Sequence, residues 1–435
     1  MNDPLRIGYI GCAAILVLLL LSMPVAFAMG IVGIVGFALI RSWQGAVFVL
    51  HSELYDVFSS YNFTVIPLFI FMGQIAFHTG ISRRLFAAAY HWAGALRGGM
   101  AMATVGACAA FGAVCGSGPA TAATMSAVAL PEMARYRYDK ALSTGVVAAA
   151  GSLGMLIPPS VVFMVYGILT EQSVGKLFMA GVLPGLLCAF VFCAIIYVQC
   201  LLRPELAPPA PKSAWRDKFV SLGGCVEMLI LFVLVVGGIY RGWFTPNEGA
   251  AIGAAGAIAL TLVRRECTWG MIFKAAQESL VTSCMVLFIV ACAMMFSRFL
   301  AVSTIPMRLA EGLTALTLPR YVTLALILAF YLVAGCFVDS LALILLTVPI
   351  LYKPIIGMGF DPIWFGVVIV LVTQMGVITP PVGINVYVVG GMDRSTPLQA
   401  IFRGAMPFLL GIAFTLLLLT LFPAIVTFLP NTLNP

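Results

Sequence analysis

Two proline pairs, Pro158-Pro159 in LIPPS and Pro380-Pro381 in ITPPVG, stand inside long apolar runs and are flanked by Gly, Ser, Thr and Asn. A Pro-Pro pair removes two amide donors and disfavours helix in the residues just before it, so both runs are expected to break there. Backbone released from helical pairing in an apolar surrounding must be buried in protein or line a wet cavity. Its carbonyls then offer several neutral oxygens, the shell that a hard monovalent cation accepts. In the first run the carbonyls of Gly154 through Pro158 are the candidates, and Thr373 to Asn385 repeats the design. Two more segments, Gly112 to Thr121 (GAVCGSGPAT) and Gly335 to Ser340 (GCFVDS), lie between short apolar arms. Their small residues read as re-entrant hairpin tips, or, for the first taken alone, as a tight turn or a close helix contact. No Gly-Lys-Ser/Thr follows these glycines, which argues against a phosphate loop. Asp339 is the acid of the second tip, and an acid near a bilayer centre costs about 2.5 to 3.5 kcal/mol, so it is expected to face an ion, a partner or a wet cavity. Arg298, in FSRFL at the end of its run, has two readings: a cation that snorkels to headgroups, or one that meets a substrate carboxylate.

The elements that must position these residues follow from composition. The chain has 435 residues, 62% of them hydrophobic and 9% charged, with a mean hydropathy of +1.10. No water-soluble globule exposes such a balance, and apolar runs of about 17 to 25 residues recur along the whole length, each long enough to cross a bilayer as a helix. The runs lack the alternation of barrel strands. Spans are expected near 6–23, 25–40 and 62–78, a hairpin near 99–133, a broken span near 141–169 and a span near 176–201. A second set follows near 219–240, 246–263 and 276–300, with a hairpin near 321–352, a broken span near 361–391 and a last span near 400–428.

The second set is a copy of the first. Pro158 and Pro380 are 222 positions apart, as are Pro24 and Pro246, and as are Ser117 and Asp339. The chain therefore divides into a first repeat over 1–202, a proline- and charge-rich linker over 203–218 and a second repeat over 219–435. Five full crossings per copy is an odd number, so the copies enter the membrane from opposite sides: an all-α polytopic membrane protein of two inverted repeats, with about ten spans and two hairpins. Such a duplicated, interrupted pattern points to a secondary transporter. Charge gives an independent orientation. Most cations, among them Arg83, Arg84, Arg97, Arg135, Lys140, Arg264 and Arg403, fall on one face, which the positive-inside rule assigns to the cytoplasm. Arg6, Arg41, Lys176, Arg241, Arg308, Arg320 and Lys353 fall on the other. The net charge of +7 thus orients the chain and needs no nucleic acid. Cysteines such as Cys108, Cys188 and Cys292 are scattered singly, and His51, His78 and His91 are too dispersed for a metal cluster. Ala26-Phe27-Ala28 has the form of a signal cleavage site, but the run beyond Pro24 has its counterpart beyond Pro246 and so belongs to the fold.

In GSGPATAA, the first Pro-Pro break, GCFVD and TPPVG, taken in order, the chain resembles the large membrane subunit of the tripartite ATP-independent periplasmic (TRAP) transporters, the DctM or SiaM type. The resemblance covers essentially the whole chain. It implies an elevator fold and sodium-driven uptake, at a bacterial inner membrane, of an organic acid such as a C4-dicarboxylate or sialic acid. It also implies a periplasmic binding protein that delivers the substrate and a small four-helix membrane subunit. Carried onto this sequence, one sodium site would use Cys115, Ser117, Gly154, Ile157 and Pro158, and the other Gly335, Asp339, Gly376, Thr379 and Pro380. Substrate would lie near Ser117, Ser160, Asp339 and Asn385, with Arg298 a further candidate. Sodium ions are the coupling ions, and no organic cofactor is implied. The nearest competitor, a self-sufficient divalent-anion symporter, carries Ser-Asn-Thr at its hairpin tips, which this chain lacks. An enzyme is disfavoured because no H-E-x-x-H or G-x-S-x-G appears.

Overall fold

The computed structural model describes residues 3–21, 23–208, 215–315 and 319–432, and all regular structure among them is helical. In the first copy these are α1 (Pro4–Leu20), α2 (Val25–Ile40), α3 (Trp43–Ser59), α4 (Val65–His78), α5 (Ile81–Ala93), α6 (Gly99–Cys115), α7 (Gly118–Arg135), α8 (Lys140–Gly151), α9 (Val161–Leu169) and α10 (Val174–Leu202). The second contains α11 (Trp215–Leu222), α12 (Val226–Phe232), α13 (Gly238–Tyr240), α14 (Pro246–Val263), α15 (Trp269–Ser303) and α16 (Ile305–Ala315). It continues with α17 (Arg320–Gly335), α18 (Ser340–Gly357), α19 (Pro362–Gly376), α20 (Ile384–Met392), α21 (Leu398–Leu421) and α22 (Ala424–Asn431). From α6 to α10 each helix recurs as α17 to α21, so the hairpin, the broken helix and the following long helix appear twice in the same order. The linker's residues 209–214 lie outside the described residues.

Both proline pairs break their helices. α8 ends at Gly151, passes through a 3-10 turn at Ser152–Met155, and helix resumes only at Val161; α19 ends at Gly376 and α20 begins at Ile384. Both Pro-Pro bonds are cis. The broken helices form the centre of the molecule: α8 is buried from Leu142 to Gly151 and α19 from Ile363 to Gly376. Large apolar side chains such as Phe48, Leu202, Trp269 and Leu410 are exposed, as expected of a surface that meets lipid. Five helical segments are long and apolar enough to cross a membrane: Tyr61–His78, Val174–Leu202, Trp269–Ser303, Ser340–Gly357 and Leu398–Leu421. One of them, Ser340–Gly357, is a hairpin arm, so length alone does not separate arms from spans.

Small residues let the helices touch backbone to backbone, the usual way membrane helices associate. A side chain at Gly33 of α2 would lie 2.8 Å from the Phe296 amide nitrogen of α15, and Gly145 of α8 meets Gly404 of α21 with no room for a methyl group. Four elements depart from the sequence expectation. The stretch 43–59, which the expected spans leave out, is the helix α3, and the 35-residue α15 covers in one rod what the first copy divides between α3 and α4. The division falls at Ser60, which is extended, and at a 3-10 turn over Tyr61–Thr64 whose Tyr61 carbonyl is taken by the Asn247 amide at 2.7 Å. The short helices α5 and α16 also follow α4 and α15 where no element was expected. α5 is amphipathic, burying Ile81, Leu85 and Phe86 while Arg83 is exposed.

Candidate ion and substrate site

Each hairpin tip is seated on a broken helix by contacts that exclude side chains. At the first tip, α6 ends at Cys115 and Gly116 turns the chain with a φ of 64°. Only glycine fits there on two counts: the left-handed conformation, and a carbonyl oxygen of Pro159 that would lie 2.7 Å from any β-carbon. One turn earlier, a β-carbon on Gly112 would sit 2.6 Å from the Gly154 Cα. The Val161 amide donates to the Gly116 carbonyl at 3.4 Å, and Thr121 Oγ1 donates to the Ser117 carbonyl at 2.8 Å. Cys115 and Ser117 are therefore brought against the Gly154 to Pro159 break.

The second tip repeats this. A β-carbon on Gly376 would lie 2.7 Å from the Gly335 Cα, and the Val382 amide donates to the Cys336 carbonyl at 3.3 Å. Asp339 caps α18, its Oδ2 accepting the Leu341 amide at 3.0 Å. Thr379 directs its hydroxyl back to the Met375 carbonyl at 2.7 Å. Among the described residues, the carbonyls of Ile157, Pro158, Thr379 and Pro380 accept no backbone amide. Each break thus presents carbonyl oxygens beside a hairpin tip, the kind of donor set that suits a desolvated monovalent cation.

Both tips face one cavity of about 590 Å³, lined by Cys115 to Ala120, by Asp339 to Leu341, by Met155, Val161 and Val162 of the first break, and by side chains of α4 and α15. Two helices start at this cavity without a side-chain cap. Ser117 precedes α7 and makes no capping bond, and Ser160 precedes α9 but spends its hydroxyl on the Met155 carbonyl at 2.6 Å. Uncapped helix starts carry free amides and partial positive charge, and so favour an anion. A shallower depression of about 440 Å³ shares Gln74, Glu278 and Thr282 with the cavity and leads outward past Lys274 and Gln277.

The sequence-derived candidates divide into three groups. Ser117, Cys115 and Asp339 line the cavity, and Gly154, Ile157, Pro158, Gly335, Gly376, Thr379 and Pro380 lie at or beside the two tip-to-break contacts. Ser160 and Asn385 are fully buried and are absent from the cavity lining. Asn385 donates to the Ala148 carbonyl at 3.0 Å, and its Oδ1, like Ser340 Oγ and Gln374 Oε1, has no hydrogen-bond partner among the described residues. Arg298 stands apart from the other candidates. It lies outside the cavity lining, and its Nε donates to Glu53 Oε1 at 2.7 Å; Glu53 sits on α3, a helix the apolar pattern does not reveal. Conversely, Gln74, Glu278 and Thr282 line the cavity and are not among the sequence-derived candidates. The available signal was Glu278 itself, an acid inside the apolar run 276–300 and thus of the same kind as Asp339.

Comparison with known proteins gives one consistent result. The family model of the tripartite ATP-independent periplasmic transporter, DctM component, matches residues 12–425. The C4-dicarboxylate TRAP transporter large permease protein DctM of Pseudomonas aeruginosa is 38% identical, over 88% of this chain and 89% of that protein. The sialic acid TRAP transporter large permease protein SiaM of Vibrio cholerae is 31% identical, over 95% of this chain and 96% of its own. Among solved structures, the YdaH transporter of Alcanivorax borkumensis superposes with a TM-score of 0.61 at 15% identity, covering 87% of this chain and 89% of that one. This last likeness concerns the fold alone.

Proposed function

Because the chain belongs to the DctM-component family of tripartite ATP-independent periplasmic transporters, we propose that it carries an organic acid across the bacterial inner membrane by sodium symport. The observation that supports this most directly is the cavity shared by two hairpin tips, each seated backbone to backbone on a Pro-Pro break. One sodium would be held by Cys115, Ser117, Gly154, Ile157 and Pro158, mainly through carbonyls, and a second by Gly335, Asp339, Gly376, Thr379 and Pro380. The substrate carboxylate would sit between them at the uncapped starts of α7 and α9. Each sodium that enters down a 100 mV inside-negative potential supplies about 2.3 kcal/mol before its concentration gradient is counted.

The moving unit in this proposal is the pair of hairpins with their broken helices, α6 to α9 and α17 to α20. It would slide as an elevator against α4 and α15, which form the opposite cavity wall. With the Arg83 and Arg264 side assigned to the cytoplasm by the excess of cations, the two copies run in opposite senses. In this reading the outlet past Lys274 opens inward, as in a cytoplasm-facing state. The substrate classes named for the relatives, C4-dicarboxylates and sialic acid, set the range of cargo expected for this chain. A periplasmic binding protein and a small membrane subunit complete the system.

Reconstitution tests the proposal. Proteoliposomes containing this chain, the small subunit and loaded binding protein should accumulate substrate under an inward sodium gradient, and stop when sodium is replaced by choline. Saturable uptake by the chain alone would instead favour a self-sufficient symporter, and sodium-independent uptake would remove the coupling.

A further inference from the structure

The cavity has a second polar wall. Opposite the hairpin tips, α4 and α15 bring Gln74, Glu278 and Thr282 to it. Glu278 is held from α4: His78 Nε2 donates to its Oε2 at 2.9 Å, with the imidazole 13% and the carboxylate 38% exposed. Thr282 spends its hydroxyl on the Glu278 carbonyl at 2.9 Å. The carboxylate is therefore the fixed acceptor that this wall offers, oriented by a more buried ring and open to the cavity.

Among the described residues that line the cavity, Asp339 and Glu278 are the ionisable acids, and no Lys or Arg lines it. They stand on different elements. Asp339 belongs to the hairpin side, where it caps α18, and where α7 and α9 begin at the cavity without a side-chain cap. Glu278 belongs to α15, an element separate from both hairpins and both breaks. With sodium on Asp339, as proposed above, the helix starts of the hairpin wall attract a carboxylate cargo, whereas the part of the cargo that faces α15 meets the Glu278 carboxylate. A second carboxylate there would suffer like-charge repulsion, whereas a hydroxyl or ammonium would donate a charge-assisted hydrogen bond.

We propose that Glu278 is a substrate-contacting specificity residue, and that the cargo is a carboxylate whose far end carries a hydrogen-bond donor, a hydroxyl or an ammonium, accepted by the Glu278 carboxylate. His78 is the positioning residue, since it touches Glu278 and is absent from the cavity lining. The assignment rests on the transport reading of this cavity and narrows its substrate class. It also predicts a selectivity that sits in the membrane subunit itself, separate from that of any binding protein.

Three acids with the same four-carbon chain test it: succinate, 4-hydroxybutyrate and 4-aminobutyrate differ only in the far-end group. Binding is measured by titration calorimetry on the purified chain with its small subunit in detergent, at saturating sodium and without a gradient. The two donor-bearing acids are expected to bind at least tenfold more tightly than succinate. Glu278→Gln should cost 4-aminobutyrate at least tenfold and strengthen succinate, while Glu278→Asp keeps the wild-type order. His78→Ala should blunt the selectivity, and His78→Gln, which retains a donor, should restore it in part. Succinate binding tightest to the wild type, no binding of either donor-bearing acid, or an order unchanged by Glu278→Gln would each overturn the assignment. Uptake by proteoliposomes is scored separately: its failure with the binding order intact would refute transport and leave the Glu278 contact standing.

Discussion

Gln374 Nε2 donates to Ser152 Oγ at 2.8 Å, and these two residues occupy the same position in the two copies, 222 apart in sequence. Contact between equivalent positions places them at the axis that relates the repeats, as at the centre of an isologous interface. Ser152 opens the 3-10 turn after α8 and also donates to the Ala149 carbonyl at 2.6 Å; Gln374 lies in the last turns of α19, and both are fully buried. The two breaks are thereby tied to each other, and each is tied to its own hairpin.

This bond should matter for stability. Gln374→Leu removes the donor and leaves the buried Ser152 hydroxyl with only its donated bond, a change that costs about 1 to 3 kcal/mol. Thermal unfolding of the purified protein should show a lowered midpoint. The double variant Ser152→Ala with Gln374→Leu should recover part of the loss, because no polar group is then left unpaired. A double variant no more stable than Gln374→Leu would show that the bond is not the source of the cost.

Glycine at the tip-to-break contact should be required for transport. A methyl group at Gly376 would collide with Gly335 backbone, whose Cα lies 2.7 Å from the added carbon, so Gly376→Ala must displace the second hairpin. Sodium-dependent uptake should fall by at least tenfold while the protein still inserts. Gly391→Ala on α20 meets nothing within 4 Å and serves as the control, with uptake unchanged. Equal activity in the two variants would contradict the close seating of the hairpin.

Much of this was legible in the residues. Gly and Pro carry their meaning locally, so the hairpin over 99–133 appears as α6 and α7, and the break at Pro158-Pro159 falls between the 3-10 turn and α9. α3 and α5 were not legible for the same reason that spans were: apolar length was the signal, and α3 carries His51, Glu53 and Asp56 within one helix. Glu53 became interpretable only when folding placed Arg298 beside it. The α4–α15 wall was missed because Gln74, His78 and Glu278 are isolated along the chain, and sequence spacing says nothing about a contact between residues 200 positions apart.

Ser117 should tune sodium dependence. It lies at the tip, next to the Gly154 to Pro159 break, and lines the cavity without capping α7. Ser117→Ala deletes one neutral oxygen and leaves the carbonyls of the break in place. Half-maximal sodium for uptake should rise several-fold with little change in expression. A variant with the wild-type sodium curve would remove this side chain from the ion site.

The Glu53–Arg298 pair should respond asymmetrically. The Glu53 side chain is 3% exposed and that of Arg298 63%. Removing the arginine leaves a buried carboxylate without its cation, the costly direction, on the order of 3 to 5 kcal/mol, whereas Glu53→Gln keeps an acceptor for a guanidinium that already reaches solvent. Arg298→Met should therefore lower the unfolding temperature far more than Glu53→Gln. Neither should change the apparent substrate affinity of the protein that survives, and a loss of affinity in Arg298→Met would reinstate the arginine as a substrate ligand.

Orientation is the remaining element, and it follows from charge combined with the repeat. α7 ends at Arg135 and its counterpart α18 ends at Gly357, just beyond Lys353. If the copies are inverted, these equivalent ends open on opposite faces of the membrane. Arg83 and Arg135 fall on the cation-rich face assigned to the cytoplasm, whereas Arg308 and Lys353 fall on the other, and all four are exposed. Each can be replaced singly by cysteine in a background where the exposed Cys284 is serine. A membrane-impermeant maleimide added to intact cells should label Arg308→Cys and Lys353→Cys, and should reach Arg83→Cys and Arg135→Cys only after the membrane is opened. Labelling of Arg135→Cys and Lys353→Cys from the same side would mean that both hairpins enter from one face, and the inverted relationship on which the elevator proposal depends would fail.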